Sequence, residues 1–361
     1  MTTVLITSIG SISATGVALC LAAVRHELRI VATNSVAEAA GNFLADRAVI
    51  VPPTASGEDW LAAVQSLIDE ERPLLVINGR DEEVALLARL RERNDQPGIH
   101  LLAPSPGLVP AVVDKYESYR FARHHDLPFA ETASSAEEVA ALMSLKGLPL
   151  VAKPRRGGFS SHGVCLVRTE AEVEAILATA THVFQEMLPC PLLDASIESW
   201  RGIRGIPWRF AMQSVDHEID LLIDGDVLTL ALSAGHADGS LNRDIRIVEE
   251  PGQRRVADAY GRVFARLGHC GPLNLQGRLL PDGRYIPFEL NARFTGTMPG
   301  KAALGFNLVR AALSHWGGVT SAIPLAANDE RVDRLPLFIA YGRSVAAGLA
   351  ATGEWRKIDR P

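Results

Sequence analysis

The chain has 361 residues, 47% of them hydrophobic and 22% charged, which suits a globular protein of two or three lobes with a sizeable core. Acidic and basic residues are interspersed and the formal net charge is −6, which excludes the one-sided basic surface of a nucleic-acid-binding protein. No stretch reaches the ~20 apolar residues that a membrane span needs. We therefore expect a cytoplasmic protein without nucleic-acid or membrane partners.

Residues 1–112 are predicted to form an open parallel α/β domain. Short β-branched runs alternate with segments whose apolar residues recur at helical spacing, a pattern typical of βαβ units. Three prolines, at positions 104, 106 and 110, mark the end of this domain. The predicted strands cover residues 4–7, 28–32, 47–51 and 74–77, and the clearest predicted helices cover 61–68 and 84–90.

Residues 113–188 are predicted to form a smaller α+β lobe around a loop rich in glycine, serine and cations. The loop runs from Lys153 to Gly163 and connects a strand at 150–153 with a returning strand at 164–167. Glycines let backbone N–H groups approach an anion closely, and Lys153 with the two arginines after it would neutralise that anion. The sequence leaves two interpretations open, a flexible lid over a triphosphate and a soluble hairpin tip.

Residues 189–361 are predicted to form a larger lobe that contains two hairpins. Their turns are Asp224-Gly225 and Pro281-Asp282-Gly283. Before the first turn, acidic residues alternate at positions 216, 218 and 220, which fits either a ribose or metal site or an exposed strand face. An apolar helical pattern at 304–313 fits the protein core and a homodimer interface equally well.

The second hairpin carries the polar set that most resembles a metal site. Glu289 and Asn291 are two residues apart on one strand, so they point to the same side, and Gln276 on the partner strand can face them. Three oxygen-bearing side chains suit Mg²⁺, which takes few protein ligands and keeps water and substrate phosphates. Arg293 continues the same face and could lie near a transferring phosphate. The alternative is a solvated polar strand face.

Taken in order, these stretches resemble the ATP-grasp superfamily, in particular the members related to the carbamoyl phosphate synthase large chain. The resemblance covers about residues 1–315, and the order and spacing of the motifs are more specific than any one of them. The matching stretches are Asp114-Lys115, Val151-Ala152-Lys153-Pro154 with its Gly/Ser loop, Phe184–Met187, Glu218–Leu222, Gly271–Gln276 and Phe288–Phe294.

This resemblance implies a two-lobed ATP-grasp fold that grips ATP together with Mg²⁺, or with Mn²⁺ in its place. The implied activity is that of an ATP-dependent ligase, which forms an acyl phosphate and then a carbon–nitrogen bond. Arg293 and Lys153 are the implied catalytic residues, and Gln276, Glu289 and Asn291 are the implied metal ligands. The implied nucleotide contacts are Lys115, Lys153, Gly157, Gly158, Ser160 and Ser161 at the phosphates, Gln185, Glu186, Met187 and Leu188 at the adenine, and either Asp216 or Glu218 at the ribose.

The leading hypothesis is a small ligase that acts on a carboxylate and an amine, because no second synthase half or biotin-carboxylase extension is present in the sequence. An ATP-grasp enzyme that phosphorylates or carboxylates a small substrate is one alternative. A non-catalytic ATP-binding regulatory module is the other, although the implied site residues are all present. We place acceptor specificity in the segments Pro189–Phe210 and His236–Asp244.

Overall fold

The computed structural model describes residues 1–157, 162–189, 214–237, 243–318, 332–333 and 343–357. Strand residues that border the gaps, namely 214–216, 236–237, 243–244 and 332–333, are described by their backbone alone. In this part of the chain the strands form three sheets. None of the helices described there is long and apolar enough to cross a membrane.

The first sheet contains the predicted parallel α/β domain. Its parallel strands are β1 (Thr2–Ile6), β2 (Leu28–Asn34), β3 (Arg47–Ile50), β4 (Leu75–Ile77) and β5 (His100–Leu102), and its helices are α1 (Ile12–Cys20), α2 (Glu58–Glu71) and α3 (Val84–Arg93). The strand order is β3-β2-β1-β4-β5. Helix α1 covers one face and α2 with α3 cover the other, which is why the strands are apolar on both faces.

The second sheet belongs to the smaller predicted lobe. It is antiparallel, with the order β6-β9-β7-β8. Its apolar core lies between one sheet face and two helices, whose polar first turns carry capping side chains. The elements of this region are α4 (Val109–Val113), α5 (Lys115–His124), β6 (Thr132–Ala133), α6 (Ala136–Lys146), β7 (Leu150–Pro154), β8 (Cys165–Val167), α7 (Glu170–Leu177) and β9 (His182–Glu186).

The third sheet belongs to the larger predicted lobe and is antiparallel, with the order β14-β13-β10-β11-β12-β15. Both predicted hairpins are present, and their turn glycines adopt the positive φ that this residue tolerates, 68° at Gly225 and 80° at Gly283. The elements are β10 (Ser214–Asp224), β11 (Asp226–Ala237), β12 (Arg243–Ile247), α8 (Pro251–Arg266), β13 (Cys270–Leu279), β14 (Tyr285–Asn291), α9 (Met298–Ala303), α10 (Leu308–Gly317) and β15 (Val332–Asp333).

The two faces of this third sheet differ in polarity. Odd-numbered residues of β10, such as Ile219 and Leu221, pack with Tyr260 and Phe264 of α8 in an apolar core. Even-numbered residues point to the opposite face, because side chains alternate along a strand. That opposite face is where the predicted functional residues lie.

The apolar pattern at 304–313 belongs to the core. Leu308, Val309, Ala312 and Leu313 are buried in the same cluster as Val17 of α1. The interpretation of this pattern as a homodimer interface is therefore wrong, and the expectation of a homodimer loses this support.

The last described elements, α11 (Arg343–Thr352) and β16 (Glu354–Arg356), correct the predicted division of the chain. The sequence assigned them to the larger lobe. In the structure β16 pairs antiparallel with β3, and Trp355 packs edge-on against Phe43. The reason is electrostatic as well as apolar, because the buried Arg47 binds Glu354 of this strand together with Glu71.

We expect Arg47→Gln to lower the free energy of unfolding by about 1–3 kcal/mol, because it removes a buried guanidinium that binds Glu70, Glu71 and Glu354, although Glu71 keeps its hydrogen bonds from Arg29. The matched control is Arg356→Gln, since Arg356 binds the same Glu354 from an exposed position and should cost about 0–1 kcal/mol. Urea denaturation measures both. Equal losses for the two variants would contradict the assigned role of Arg47.

Candidate active site

The strand register of the third sheet brings the predicted metal ligands together. Gln276 of β13 lies opposite Glu289 of β14, and Asn274 lies opposite Asn291. Directly opposed residues of antiparallel strands point to the same side of the sheet, so these side chains share one face. The side chain of Asn274 accepts a hydrogen bond from Asn291 at 3.3 Å, which fixes the amide of Asn291.

A β-bulge in β14 shapes this face. The pairing passes from Gln276 and Glu289 to Gly277 and Pro287, so Phe288 has no opposite residue. A bulge re-aims side chains at the point where it occurs. Here the carbonyl of Phe288 accepts a hydrogen bond from Gln185 at 3.3 Å, and its ring lies 4.5 Å from the Lys153 ammonium. The bulge thus connects the larger lobe to the smaller one.

A narrow, open cleft lies between the lobes beside this face. Lys115 enters it from the start of α5, 3.8 Å from the Glu289 carboxylate, and donates a hydrogen bond to the carbonyl of Gly157 at 2.9 Å. The cleft therefore holds a cation beside a half-buried carboxylate. Its polar lining comprises Asp81, Asp114, Lys115, Ser118, Gly157, Glu289 and Asn291.

Lys153 lies on the cleft side of the smaller lobe. It is buried and donates a hydrogen bond of 2.6 Å to the side chain of Gln185, which in turn donates to Thr132. Gln185 therefore orients the predicted catalytic lysine, a role in addition to the hinge role that the sequence implied. The same face of the second sheet carries an apolar group that could contact a flat ring, formed by Val151, Val164, Leu166 and Met187.

The neighbouring hinge residues use their polar groups within the protein. The Glu186 carboxylate accepts a hydrogen bond from the backbone of Glu131 and binds Lys146 at 2.7 Å. The carbonyl of Leu188 accepts a hydrogen bond from Arg278 at 3.0 Å. These contacts fix the hinge residues in place. Nucleotide contacts by the hinge therefore stay a prediction, and they would use the other backbone groups of these residues.

The two arginines after Lys153 do not extend into the cleft as free cations. Arg155 and Arg156 both bind the buried carboxylate of Asp114, at 2.8 and 3.0 Å. Burial raises the pKa of Asp114, but hydrogen bonds from Arg155, from the backbone of Glu117 and from Arg156 hold it below its usual value. That these arginines neutralise a phosphate stays a prediction, and it would require them to share or leave Asp114. Asp114 ties the start of the loop after β7 to the first turn of α5.

Arg293 is held by the first domain. Its Nε lies 2.8 Å and its Nη2 lies 3.1 Å from the two carboxylate oxygens of Asp81. Burial lowers the pKa of Arg293, but the Asp81 carboxylate more than offsets this, so the pKa is raised and the guanidinium stays charged. Asp81 was not identified from the sequence, because nothing in a surface-like Arg-Asp-Glu-Glu run marks one acid as the partner of a distant arginine.

A buried lysine lies under the same sheet face. Lys301 of α9 is fully buried and binds the carboxylates of Glu218, at 2.6 Å, and Asp220. Burial lowers the pKa of Lys301, but both carboxylates raise it above its ordinary value, while burial raises the pKa of Asp220. Lys301 was missed from the sequence, although a lone charge within the apolar run 298–304 was a usable signal.

This cluster bears on the predicted ribose acid. Glu218 is buried and its Oε2 also accepts a hydrogen bond from Thr297 at 2.8 Å, so it serves Lys301 and Thr297. Which of Asp216 and Glu218 would hold the ribose stays a prediction. The side chain of Asp216, and the residues Gly158, Ser160 and Ser161, lie outside the described residues. The same holds for almost all of the two segments to which acceptor specificity was assigned.

The donor set fits magnesium carried by a nucleotide. Gln276, Glu289 and Asn291 offer one carboxylate and two amide oxygens, all of them hard oxygen ligands. The described residues contain no group of three His, Cys, Asp or Glu side chains that could hold a metal ion. With a single negative charge, this set suits a cation whose other ligands are phosphate oxygens and water.

Comparisons with known proteins show similarity in structure. No protein-family model matches the sequence, and no curated protein matches it. Among solved structures, N5-carboxyaminoimidazole synthetase from Staphylococcus aureus complexed with ADP has a TM-score of 0.65 at 10% identity, covering 90% of this chain and 79% of that one.

Two further solved structures are similar over most of their length. The biotin carboxylase domain of the Hydrogenobacter thermophilus 2-oxoglutarate carboxylase, in complex with MgADP, ADP and bicarbonate, has a TM-score of 0.61 at 16% identity and covers 91% of this chain and 72% of that one. L-amino acid ligase from Bacillus licheniformis has a TM-score of 0.59 at 18% identity and covers 88% and 74%. These similarities confirm the fold predicted from the sequence.

We expect Lys301→Met to lower the free energy of unfolding by about 3–5 kcal/mol, because it leaves two buried carboxylates without their counter-charge. Urea denaturation measures the loss. A triple variant that also carries Glu218→Gln and Asp220→Asn should recover much of it, since the charges are then removed together. Arg284→Met, at the exposed ion pair with Asp282, is the control and should cost about 0–1 kcal/mol. A loss as small as that of the control would contradict the assignment.

Proposed function

We propose that this chain, which has the ATP-grasp fold, is an ATP-dependent ligase that joins a small carboxylic acid to an amine. The observation that carries the proposal is a cleft in which Lys115 lies beside Glu289 and Asn291, with Gln276 opposite Glu289 on the neighbouring strand. This arrangement matches the chemistry of phosphoryl transfer to a carboxylate, which needs charge neutralisation and alignment and no protein nucleophile.

The proposed reaction has two steps. A carboxylate oxygen attacks the γ-phosphorus of ATP, the bond to the β-phosphate oxygen breaks, and ADP leaves. The amine nitrogen then attacks the carbonyl carbon of the acyl phosphate, the carbon–oxygen bond breaks, and inorganic phosphate leaves as the nitrogen loses a proton. Atoms and charge balance without an external oxidant or reductant.

The residues of the cleft have separate roles in this proposal. Gln276, Glu289 and Asn291 would hold Mg²⁺, which when bound neutralises phosphate charge. Lys153, oriented by Gln185, would contact the nucleotide phosphates on the side of the smaller lobe. Lys115 would contact them from the start of α5, where it now lies 3.8 Å from Glu289. Preorganised charges of this kind cost no rearrangement when the reaction occurs.

Arg293 would act where the phosphoryl group is transferred to the carboxylate, and afterwards at the acyl phosphate. It follows the strand that carries Glu289 and Asn291, and its Nη2 lies 3.4 Å from the amide oxygen of Asn291. A guanidinium at this point can bind the carboxylate before transfer and the developing oxyanion afterwards. The raised pKa of Arg293 keeps it charged throughout the physiological pH range.

The similar structures support a carboxylate as the phosphoryl acceptor and leave a second candidate. One of them is an L-amino acid ligase, and another is a biotin carboxylase domain with bound bicarbonate. Bicarbonate is itself a small carboxylate, so the same site would serve an enzyme that carboxylates a nitrogen. We therefore keep carboxylation as the second candidate, to be separated by the choice of substrate.

The proposed function predicts that ADP and phosphate release with Mg·ATP will require one acid and one amine together. A panel of amino acids, other small carboxylates and bicarbonate, tested singly and in pairs, measures this. Mass spectrometry should find a product lighter by one water than the sum of the pair. Turnover that requires bicarbonate would favour carboxylation instead. ADP binding without any substrate-dependent release would contradict both.

Glu289→Ala should reduce substrate-dependent ADP release by about 10²–10³-fold, because it removes the one carboxylate of the magnesium set and several kcal/mol of charge stabilisation. The coupled assay for ADP measures the loss, and urea denaturation establishes that the variant is folded. Glu174→Ala removes an exposed carboxylate of α7 and serves as the control. Unchanged turnover in Glu289→Ala would remove the metal assignment.

A further inference from the structure

The loop after β4 occupies a special place in the first domain. In the strand order β3-β2-β1-β4-β5, β1 and β4 meet where the order of the parallel sheet reverses. Ligands of such sheets bind outside the carboxyl ends of the strands at this point. Here the loops after β1 and β4 both end on the cleft side, where Asn78 donates a hydrogen bond to the carbonyl of Ala292 at 3.2 Å.

The protein's own Glu83 fills this crevice. Its buried carboxylate accepts hydrogen bonds from the hydroxyls of Thr7 and Ser8, both at 2.7 Å, and from the backbone N–H groups of Gly79 and Arg80, at 3.0 and 3.2 Å. Four donors around one carboxylate leave little freedom to the segment from Gly79 to Glu83. The loop is therefore a rigid support for the residue at its centre, Asp81.

Asp81 directs Arg293. Oδ2 accepts a hydrogen bond from Nη2 at 3.1 Å and Oδ1 lies 2.8 Å from Nε as an ion-pair contact, so the carboxylate holds the guanidinium at two points. Both residues are mostly buried, and Asp81 also lines the cleft that contains Lys115 and Glu289. A purely structural ion pair has no need to lie at the rim of this cleft.

We propose that Asp81 is a positioning residue, supplied by the first domain, that holds Arg293 in the orientation required at the transferring phosphoryl group. The inference depends on the proposed function for the identity of that group. The inference also gives the first domain a part in the reaction, because Glu83 fixes the loop that carries Asp81 and Asp81 orients Arg293. A positioning role of this kind affects the rate of the chemical step more than nucleotide binding.

A double-mutant cycle tests this connection. Asp81→Asn should lower kcat by about 10–100-fold while the KM for ATP stays within about twofold, because the guanidinium is misplaced but present. Arg293→Gln should lower kcat at least as much. If Asp81 acts through Arg293, the double variant should be no slower than Arg293→Gln alone. Additive losses would overturn the inference.

Two further variants separate positioning from general loss of charge or fold. Asp81→Glu keeps a carboxylate with a longer reach and should recover part of the kcat lost in Asp81→Asn. Glu82→Gln removes the same charge from the exposed neighbouring position and should leave kcat unchanged. An equal loss in Glu82→Gln and Asp81→Asn would overturn the inference, since the effect would then be one of bulk charge.

A binding measurement separates this inference from the proposed function. Mg·ADP with fluoroaluminate mimics a phosphoryl group in transfer and should bind the wild-type protein more tightly than Mg·ADP alone. Calorimetry should show this tightening reduced about 10-fold or more in Asp81→Asn, with unchanged affinity for Mg·ADP. If no acid and amine are joined, the proposed ligation fails, yet this comparison still decides the role of Asp81. If fluoroaluminate tightened the binding of Mg·ADP to Asp81→Asn as much as to the wild type, or did not tighten it in the wild type, that role would be overturned.

Discussion

The register between β10, β13 and β14 is the constraint on which the rest of the site depends. Glu218, Gln276 and Glu289 form one cross-strand row, and Asp220, Asn274 and Asn291 form the next. Because side chains alternate along each strand, one face of the sheet carries all six polar groups while the other packs on α8. A slip of one residue would exchange the two faces, burying the carboxylates in the core.

This polar face is stable because some of its charges form a buried ion cluster while the others face the cleft. The two acids of β10 are satisfied by Lys301, whose ammonium lies between Glu218 and Asp220. The acid of β14, Glu289, stays partly exposed at the cleft, with Lys115 3.8 Å away. Buried carboxylates without partners would be strongly unfavourable, so the lysine lets the strands remain charged up to the edge of the site. The structure thus separates a sealed ion cluster from an accessible one.

Much of this could be predicted from the sequence, because it depends on local pattern. The parallel domain, both hairpins and the common side of Gln276, Glu289 and Asn291 follow from periodicity and turn residues. What could not be predicted depends on contacts between distant segments. Asp81 meets Arg293 across 212 residues, and β16 pairs with β3 across about 300. The bulge at Phe288 could not be predicted for a different reason, because one additional residue in a strand does not visibly change the alternating sequence pattern.

The position of β16 has a consequence for how the chain is made. The parallel strands of the first domain leave the ribosome long before Glu354–Arg356, yet the edge of their sheet along β3 is paired by those residues. Until those residues are synthesised, that edge keeps unpaired backbone groups and the buried guanidinium of Arg47 lacks one of its carboxylates. Uncovered strand edges are the usual starting point for aggregation. A protein without this strand would therefore expose the β3 edge and be prone to associate through it.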